Sequence, residues 1–167
     1  MDSTELRALQ APLKQRYRDD PASALVVSRA EARLGPDVTC TVPTWAGDTV
    51  AGLHSSTGGD GSRACSADMI LQALVACAAV TLNSVATAMG VALRRAVVRA
   101  EGTWDARGTL GVSRETPVGL TRVALSFDLE TDADEGRRAK LIELTERYCV
   151  IYQTLKSPPE LSVDGGG

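Results

Sequence analysis

The residues with the greatest chemical potential in this 167-residue chain are its four cysteines, Cys40, Cys65, Cys77 and Cys149. A cysteine thiolate can act as a nucleophile, form a disulfide or bind a soft metal ion. Four cysteines are too few to hold together a disulfide-stapled secreted fold of this length. We therefore expect a cytoplasmic protein whose thiols are reduced at rest.

A metal site is the first possibility that the cysteines raise, and their spacing argues against it. They are widely separated, they form no CxxC pair, and His54 is the single histidine of the sequence. The glycine-rich run 58–62 lacks the lysine and hydroxyl residue that complete a phosphate-binding loop. We expect neither a metal ion nor another cofactor.

The sequence LVACAAVTL places Cys77 in the middle of an apolar helix. A cysteine in such a position is most often passive packing, because free cysteine is among the most buried residue types. Burial would raise its pKa, and the N-terminus of its own helix is too distant to lower it. A reactive Cys77 therefore needs a specific partner, most economically an arginine.

Composition limits the classes of protein to which the chain can belong. Hydrophobic residues make up 44% and charged residues 23%, which fits one folded domain over residues 1–167. A net charge of −3 and only 4% aromatic residues argue against binding to nucleic acid or to an anionic membrane. The first ten residues lack an apolar segment, and the longest apolar stretch, 69–82, is too short to span a bilayer.

The first third of the chain reads as a helical arm followed by strands. Asp2 and Glu5 have the spacing of a capping box and predict a helix in the arm 1–20, which Pro12 interrupts or restarts. Alternating and β-branched residues then predict three strands, at 22–34, 38–44 and 48–54.

A long helix is predicted from about residue 68 to Met89, with Ser66 as its N-cap and Gly90 as the residue that closes it. The helix is apolar on nearly every side, so every side must be covered. This favours its burial at a dimer interface.

The last part of the chain predicts two strands, at 93–105 and 120–131, and then a helix. Asp132 and Glu135 are expected to cap that helix, and a short strand at 161–163 and a disordered tail at 164–167 are expected to follow. Its apolar stripe is Leu141, Leu144, Tyr148, Ile151 and Leu155. The order of elements indicates an α+β fold.

The segments TGGDGSRACSADMILQALVACAAVTLNSVATAMG and LIELTERYCVIYQTLKSPPEL, with two strands between them, resemble the OsmC/Ohr family. The resemblance covers roughly residues 20–163. It implies an OsmC-like fold in which antiparallel sheets surround a long buried central helix. It also implies an intertwined homodimer with two active sites at the subunit interface.

The same resemblance implies a thiol-dependent peroxidase that acts in oxidative-stress defence. Cys77 matches the peroxidatic cysteine of the family and Cys149 matches its resolving cysteine. The implied substrate is an organic hydroperoxide, with hydrogen peroxide as a further substrate, and the implied reductant is an external dithiol. The resemblance implies neither a nucleic acid nor a membrane as a partner.

Further site residues follow from the resemblance position by position. Arg33 is the best match to the family arginine, with Arg29 and Arg63 as the next matches. The family glutamate falls on Ala67, and Asp68, one position later, is its possible substitute. The proline that usually follows the resolving cysteine is Val150 here. Cys40 and Cys65 match no family role and are expected to be bystanders.

Two alternatives remain open from the sequence. The first is a catalytically weak module of the same fold that binds an apolar small molecule, and it is favoured by Ala67 and Val150 at family positions. The second is a thiol hydrolase in which Cys77 is the nucleophile, and it would need His54 as its base.

Overall fold

The computed structural model describes residues 1–165 and has a mixed α+β architecture. The last two residues of the predicted disordered tail, Gly166 and Gly167, lie outside the described residues.

The arm at the start of the chain is the helix α1, Ser3–Asp19. Its predicted capping box is confirmed: the Glu5 amide donates to Asp2 Oδ1 at 2.9 Å, and the Asp2 amide donates to Glu5 Oε2 at 2.8 Å. The prediction that Pro12 interrupts the helix is wrong, because α1 runs through it. The carbonyl of Ala8, which loses its helical donor to the proline, belongs to an exposed residue and can bond to water instead.

A three-stranded antiparallel sheet follows, in the order β1 (Arg33–Leu34), β2 (Cys40–Thr44) and β3 (Gly47–Ala51). The second and third predicted strands are confirmed in shortened form. The predicted strand 22–34 is wrong over most of its length. The segment begins with a 3-10 turn, Pro21–Ala24. Leu25 and Val26 follow it and are more than four-fifths exposed. Although both are apolar, neither pairs with another strand of the described chain.

The predicted long helix is α2, Ser66–Met89, and Gly90 ends it in the left-handed conformation at φ 64°. The carbonyl of Cys65 accepts the first helical bond from Met69, so the cap lies at Cys65 rather than at Ser66 as predicted.

Burial of α2 is confined to one stripe. Leu74, Ala78, Leu82 and Ala86 are buried at four-residue spacing, whereas Val80 is 72% exposed. Within residues 1–165, α2 is the one helix that is long and apolar enough to cross a membrane. Only 28% of its most apolar stretch is buried in the described chain. Core helices of globular proteins meet the same criterion. The sequence predicts that α2 is covered on every side. In the described chain it is covered only along this stripe.

The strands β4, Arg95–Thr103, and β5, Arg122–Glu130, form a second sheet. The Arg94 amide bonds to Glu130 at one end and the Thr121 amide bonds to Thr103 at the other, so the two strands are antiparallel. The short helix α3, Ala106–Thr109, follows β4. The predicted alternation of β5, with its odd-numbered residues less exposed, is confirmed towards the end of the strand.

The last predicted helix is two helices, α4 (Glu135–Tyr148) and α5 (Val150–Lys156). Asp134 caps α4 by accepting from the Arg137 amide at 2.8 Å. The predicted cap Asp132 instead forms an ion pair with Arg94. The predicted strand at 161–163 is also wrong: within the described residues this segment has no regular secondary structure, and Leu161 and Val163 are almost fully exposed.

The described residues form two compact units. Unit 1 comprises Met1–Ala8, Ala73–Arg99 and the chain from Ser126 onward, and unit 2 comprises Leu9–Gln72 and Ala100–Leu125. Unit 1 has a core of buried apolar residues, against which half-buried residues of β4 and β5 pack. The buried members of this core are Leu82, Ala86, Val91 and Leu141. The prediction of a single domain stays a prediction.

Candidate active site at the helix break

The feature that builds the candidate site is the break between α4 and α5 at Cys149. This residue has φ −75° and ψ 108°, which is extended rather than helical backbone. Its N–H still donates to the Thr145 carbonyl at 3.0 Å, and its carbonyl accepts from the Gln153 amide at 3.0 Å. Cys149 therefore ends one helix and begins the next without an intervening loop.

The break changes the partners of nearby backbone groups. In an uninterrupted α-helix the Val150 amide would donate to the Glu146 carbonyl. Here the side-chain amide of Gln153 donates to that carbonyl at 2.8 Å. The Tyr152 amide donates to Sγ of Cys149 at 3.4 Å, so the cysteine caps the helix that it begins. The amides of Val150 and Ile151 are thereby free to bond elsewhere.

The break is held in place by buried contacts. Leu141, Thr145 and Cys149 are fully buried at four-residue spacing, and the Thr145 hydroxyl donates to the Leu141 carbonyl at 2.8 Å. On the other side of the break the Tyr152 hydroxyl bonds to Glu146 Oε2 at 3.2 Å. Because the side chain of Cys149 is enclosed, its position relative to α5 is fixed by packing as well as by hydrogen bonds.

The sulfur of Cys77 on α2 lies near the start of α5. The backbone N–H groups of Ile151 and Val150, the thiol of Cys149 and the hydroxyl of Thr81 are close enough to this sulfur to favour its ionised form. Cys77 and Cys149 are therefore neighbours within unit 1. Cys77 is half-buried, whereas Cys149 is fully buried.

The surroundings of Cys77 favour its ionised form. Burial raises the pKa of the thiol, but the hydrogen bonds from Ile151, Cys149, Val150 and Thr81 outweigh burial, and the net pKa is lowered. All of these donors are uncharged. The sequence analysis expected a reactive Cys77 to need a specific partner, such as an arginine. Here groups of α5 and the hydroxyl of Thr81 lower the pKa of Cys77, so its lowered pKa does not depend on an arginine.

The surroundings of Cys149 have the opposite effect. Burial raises the pKa of its thiol, and although the Tyr152 amide opposes this rise, the neighbouring Cys77 adds to it. Of the two thiols, Cys77 therefore ionises first and Cys149 stays protonated. A half-buried thiolate beside a protonated thiol can attack the oxygen of an oxidant that accepts two electrons, become a sulfenic acid, and then form a disulfide with its neighbour as water leaves.

The other two predicted site residues lie in unit 2. Arg33 is on β1, it is largely exposed, and its guanidinium pairs with Glu31 at 2.8 Å. Asp68 is exposed in the first turn of α2, which is a favourable position for a carboxylate. Their predicted roles at Cys77 stay predictions.

Unit 2 contains a polar cavity of about 330 Å³. The glycine-rich loop forms part of its wall, where a side chain at Gly59 would collide with the Leu53 carbonyl. The lining also includes Asp37, which lies in a turn where Asp37 and Val38 both have positive φ. The polar side chains that line the cavity belong to Asp37, Thr39, Asp60, Ser62 and Arg63.

The remaining chemically capable residues have local structural roles or no partner that would activate them. His54 Nδ1 accepts from the Ser56 amide at 3.1 Å, and the ring lies edge-on to Trp104 at 5.5 Å. The imidazole is thus engaged as a helix cap. Cys40 lies on β2 opposite Ala51 and is half-buried, as is Cys65. Among residues 1–165, no three His, Cys, Asp or Glu side chains are placed to hold a metal ion.

Sequence reasoning missed the donors from α5 and from Thr81. The helical pattern continues through Cys149 without glycine or proline, so it gave no sign of a break. One signal of these donors was Val150, because valine has a backbone N–H that can donate to a neighbouring group, whereas a proline at this position would have none. Thr81, four residues after Cys77, also lies on the same face of α2 by its spacing.

Comparison with known families gives one match that covers most of the chain. A family model described as OsmC-like protein matches residues 59–164. This range includes α2, both strands of the second sheet and the break at Cys149. Among curated proteins there is no match.

Solved structures give the same fold. An OsmC-like protein from Mycoplasma pneumoniae superposes with a TM-score of 0.67 at 17% identity, over 80% of this chain and 89% of that one. An organic hydroperoxide resistance protein from Elizabethkingia anophelis gives 0.63 at 15% identity, over 80% and 91%. An organic hydroperoxide resistance protein OsmC from Legionella pneumophila gives 0.62 at 16%, over 80% and 93%. At these identities the likeness concerns the fold.

Proposed function

Since this chain belongs to the OsmC-like protein family, we propose that it is a thiol-dependent peroxidase that reduces organic hydroperoxides, and also hydrogen peroxide, in defence against oxidative stress. Two of the structures with the same fold are of organic hydroperoxide resistance proteins. The observation that carries the proposal is the asymmetry of the paired thiols: Cys77 is half-exposed with a lowered pKa, and Cys149 is buried with a raised pKa.

The proposed reaction begins at Cys77. Its thiolate attacks the outer oxygen of the hydroperoxide, the O–O bond breaks, and Cys77 becomes a sulfenic acid while the alkoxide takes a proton from water and leaves as an alcohol. Two electrons pass from the sulfur to the peroxide. The low pKa of Cys77 supplies the thiolate that this step requires.

The second step uses Cys149. Its thiol sulfur displaces the hydroxyl of the sulfenic acid, water leaves, and a disulfide joins Cys77 and Cys149. The two thiols lie close enough for each to shift the pKa of the other. An external dithiol then reduces the disulfide by two successive exchanges, which restores both thiols and yields an oxidised dithiol.

We assign Arg33 and Asp68 to this site as positioning groups, on the strength of the family resemblance. A guanidinium near Cys77 would orient the peroxide oxygens, and a carboxylate would orient the guanidinium. Arg33→Met should then slow Cys77 oxidation at a pH where its thiol is fully ionised, whereas the control Arg122→Met, at an exposed arginine of β5, should not. Equal rates in both variants would exclude Arg33 from the site.

We also propose that two copies of the chain form a homodimer around α2. The support is the apolar surface that α2 leaves exposed, which includes Val80 at 72% exposure. Light scattering should give twice the chain mass. Val80→Lys should halve this mass, while Val112→Lys, which alters an equally exposed valine in a loop, should leave it unchanged. A wild-type mass equal to that of one chain would contradict the dimer.

The test of the peroxidase is a single-turnover experiment. Fully reduced protein is treated with one equivalent of cumene hydroperoxide and digested under non-reducing conditions for peptide mass spectrometry. We expect a disulfide between Cys77 and Cys149, with Cys40 and Cys65 recovered as free thiols. Recovery of unmodified Cys77 and unconsumed hydroperoxide would overturn the proposal and favour the alternative, a weak module that binds an apolar small molecule.

A further inference from the structure

The helix break at Cys149 lacks the residues that usually break a helix. Abrupt breaks occur mainly at proline, at glycine or serine pairs, at a π-bulge, or where a side chain enters the ladder of backbone hydrogen bonds. Residues 145–156 contain no proline, glycine or serine, and none of them is in a π-helix. The remaining cause is a side chain that takes a place in the ladder.

The side chain of Gln153 takes such a place. Its Nε2 donates to the Glu146 carbonyl at 2.8 Å, seven residues back along the chain and across the break. The same carbonyl is the acceptor that the Val150 amide would use if the helix continued. Because Val150 has an N–H, which a proline would lack, it could form that bond. Gln153 therefore occupies the acceptor through which α4 would continue into α5.

Two further hydrogen bonds support the break, and both have weaker geometry or a weaker acceptor. Tyr152 Oη donates to Glu146 Oε2 at 3.2 Å, which is long for a bond between oxygens. The Tyr152 amide donates to Cys149 Sγ at 3.4 Å, and a thiol sulfur is a weak acceptor. The bond from Gln153 is shorter and joins two half-buried residues, where water competes less. Gln153 is accordingly the main side chain that holds the break.

The break matters for Cys149 because it fixes the direction of the thiol. As the N-cap of α5, Cys149 receives the Tyr152 amide on its sulfur, and this sulfur lies close to Cys77. In a continuous helix the Tyr152 amide would donate to the Tyr148 carbonyl instead. The ψ of Cys149 would also change from 108° by about 150°. The sulfur would then lose the bond that holds it at the start of α5.

We propose that Gln153 is a positioning residue for Cys149. By occupying the Glu146 carbonyl, its side chain prevents the Val150 amide from extending α4. The Cys149 thiol thereby stays where it can form a disulfide with Cys77. The inference deepens the proposed peroxidase function and rests on it, since that disulfide is the second step of the proposed reaction.

The test is the redox equilibrium of the two thiols in mixtures of reduced and oxidised glutathione. Oxidised glutathione forms the disulfide between Cys77 and Cys149 by two successive exchanges and leaves as two molecules of reduced glutathione. The fraction of protein with this disulfide is measured by non-reducing peptide mass spectrometry, and a melting curve checks that each variant is folded. The readout involves no peroxide and depends on how often the two thiols of the folded protein meet.

Gln153→Met removes the donor and nearly keeps the length of the side chain. It should lower the equilibrium constant for the disulfide about fivefold, because loss of one hydrogen bond reduces the population with both thiols in place by about that factor. Gln153→Glu keeps the size and polarity, but its carboxylate does not donate near neutral pH, so the same decrease is expected. The matched control is Thr154→Val, which removes a bond of 2.8 Å to the Val150 carbonyl within α5. It should match the wild type.

A second background isolates the cause. Val150→Pro removes the N–H, and the proline ring itself prevents the helix from continuing past the Glu146 carbonyl. If Gln153 acts by excluding the Val150 amide, Gln153→Met should have no further effect in the Val150→Pro protein. The inference is overturned by an unchanged equilibrium in both Gln153 variants, by an equal decrease in Thr154→Val, or by the full decrease in the Val150→Pro background.

The outcomes distinguish the role of Gln153 from the proposed function. If the Gln153 variants lower the equilibrium constant but the wild type consumes no hydroperoxide, the peroxidase proposal fails and the role of Gln153 stands. If the wild type consumes hydroperoxide and the Gln153 variants keep its equilibrium constant, the peroxidase proposal stands and the role of Gln153 fails. A wild type that forms no disulfide between Cys77 and Cys149 in oxidised glutathione would overturn the inference together with the second step of the reaction.

Discussion

Cys77 and Cys149 are neighbours in one unit, yet their surroundings drive their ionisation in opposite directions. Burial raises the pKa of both thiols. The difference lies in the neighbouring side chains. Backbone amides of α5 lower the pKa of both thiols, but the Cys149 thiol and the Thr81 hydroxyl lower the pKa of Cys77 further, whereas the proximity of Cys77 raises the pKa of Cys149.

A second comparison is with Cys40 and Cys65, which are half-buried like Cys77. Exposure alone does not decide the reactivity of a thiol, because reactivity depends on what stabilises the thiolate. Cys40 lies on a strand, where the backbone amides bond to the neighbouring strands. The structural lesson is that a helix break can activate a thiol on a different helix.

The largest effect expected is from removal of the attacking thiol. Cys77→Ser should lower hydroperoxide consumption by more than about a hundredfold, because a serine hydroxyl is not ionised near neutral pH. The assay is the loss of cumene hydroperoxide with dithiothreitol as reductant. Circular dichroism should show an unchanged fold. A rate in Cys77→Ser near that of the wild type would remove Cys77 from the reaction.

Cys149→Ser should separate the two steps. Serine is a preferred N-cap, so α5 should still begin at residue 149. We expect the first equivalent of hydroperoxide to be consumed and Cys77 to remain as a sulfenic acid, which dimedone would label. In the wild type the disulfide should prevent this labelling. Strong labelling of wild-type Cys77 under the same conditions would show that Cys149 does not resolve the intermediate.

The contribution of α5 to the lowered pKa of Cys77 is tested by removal of one backbone N–H. Val150→Pro deletes the Val150 N–H, and proline suits the first position of a helix. The extended backbone of Cys149 is also compatible with a following proline. Alkylation of Cys77 on the acid side should slow about threefold, because loss of one hydrogen bond to the thiolate lowers the thiolate fraction about tenfold, while the more basic thiolate is about threefold more nucleophilic.

The matched control at this position is Val150→Ala, which keeps the N–H and changes a side chain that is 69% exposed. It should alkylate like the wild type. If both variants slow equally, the side chain rather than the amide supports Cys77.

The smallest effects are expected at the two outer cysteines. Cys40→Ser and Cys65→Ser should each leave hydroperoxide consumption within about twofold of the wild type, since neither residue takes part in the proposed disulfide. A larger loss in Cys65→Ser would extend the redox site to the start of α2.

The sequence predicted those parts of the fold whose signals are local. The capping box of Asp2 and Glu5, the left-handed Gly90 and the alternation of β5 each depend on residues within a few positions of one another. The strand expected at 22–34 failed because pairing depends on a partner strand, and a sequence pattern does not supply one. The family resemblance also assigned roles to Cys77 and Cys149, and these roles stay predictions.

The activation of Cys77 could not be predicted in the same way. It depends in part on the backbone amides of Val150 and Ile151, which are distant from Cys77 in the sequence, and on a break in a sequence with uninterrupted helical periodicity. The physical cause of the break is visible only with the side chains in place, since Gln153 satisfies the Glu146 carbonyl and Cys149 caps its own helix. These hydrogen bonds do not change the spacing of apolar residues, so the sequence pattern does not indicate the break.

The central claim is that Cys77 ionises at lower pH than Cys149, and its most direct test is site-resolved alkylation. Native reduced protein is pulsed with iodoacetamide over a pH series, and each cysteine peptide is quantified by mass spectrometry. Because its pKa is lowered, Cys77 should keep its reactivity below the pH at which an ordinary thiol loses it, and it should lose that reactivity only as the pH falls through the lowered pKa. Cys149 should react at higher pH. Coincident profiles, or Cys149 reacting at the lower pH, would contradict the account.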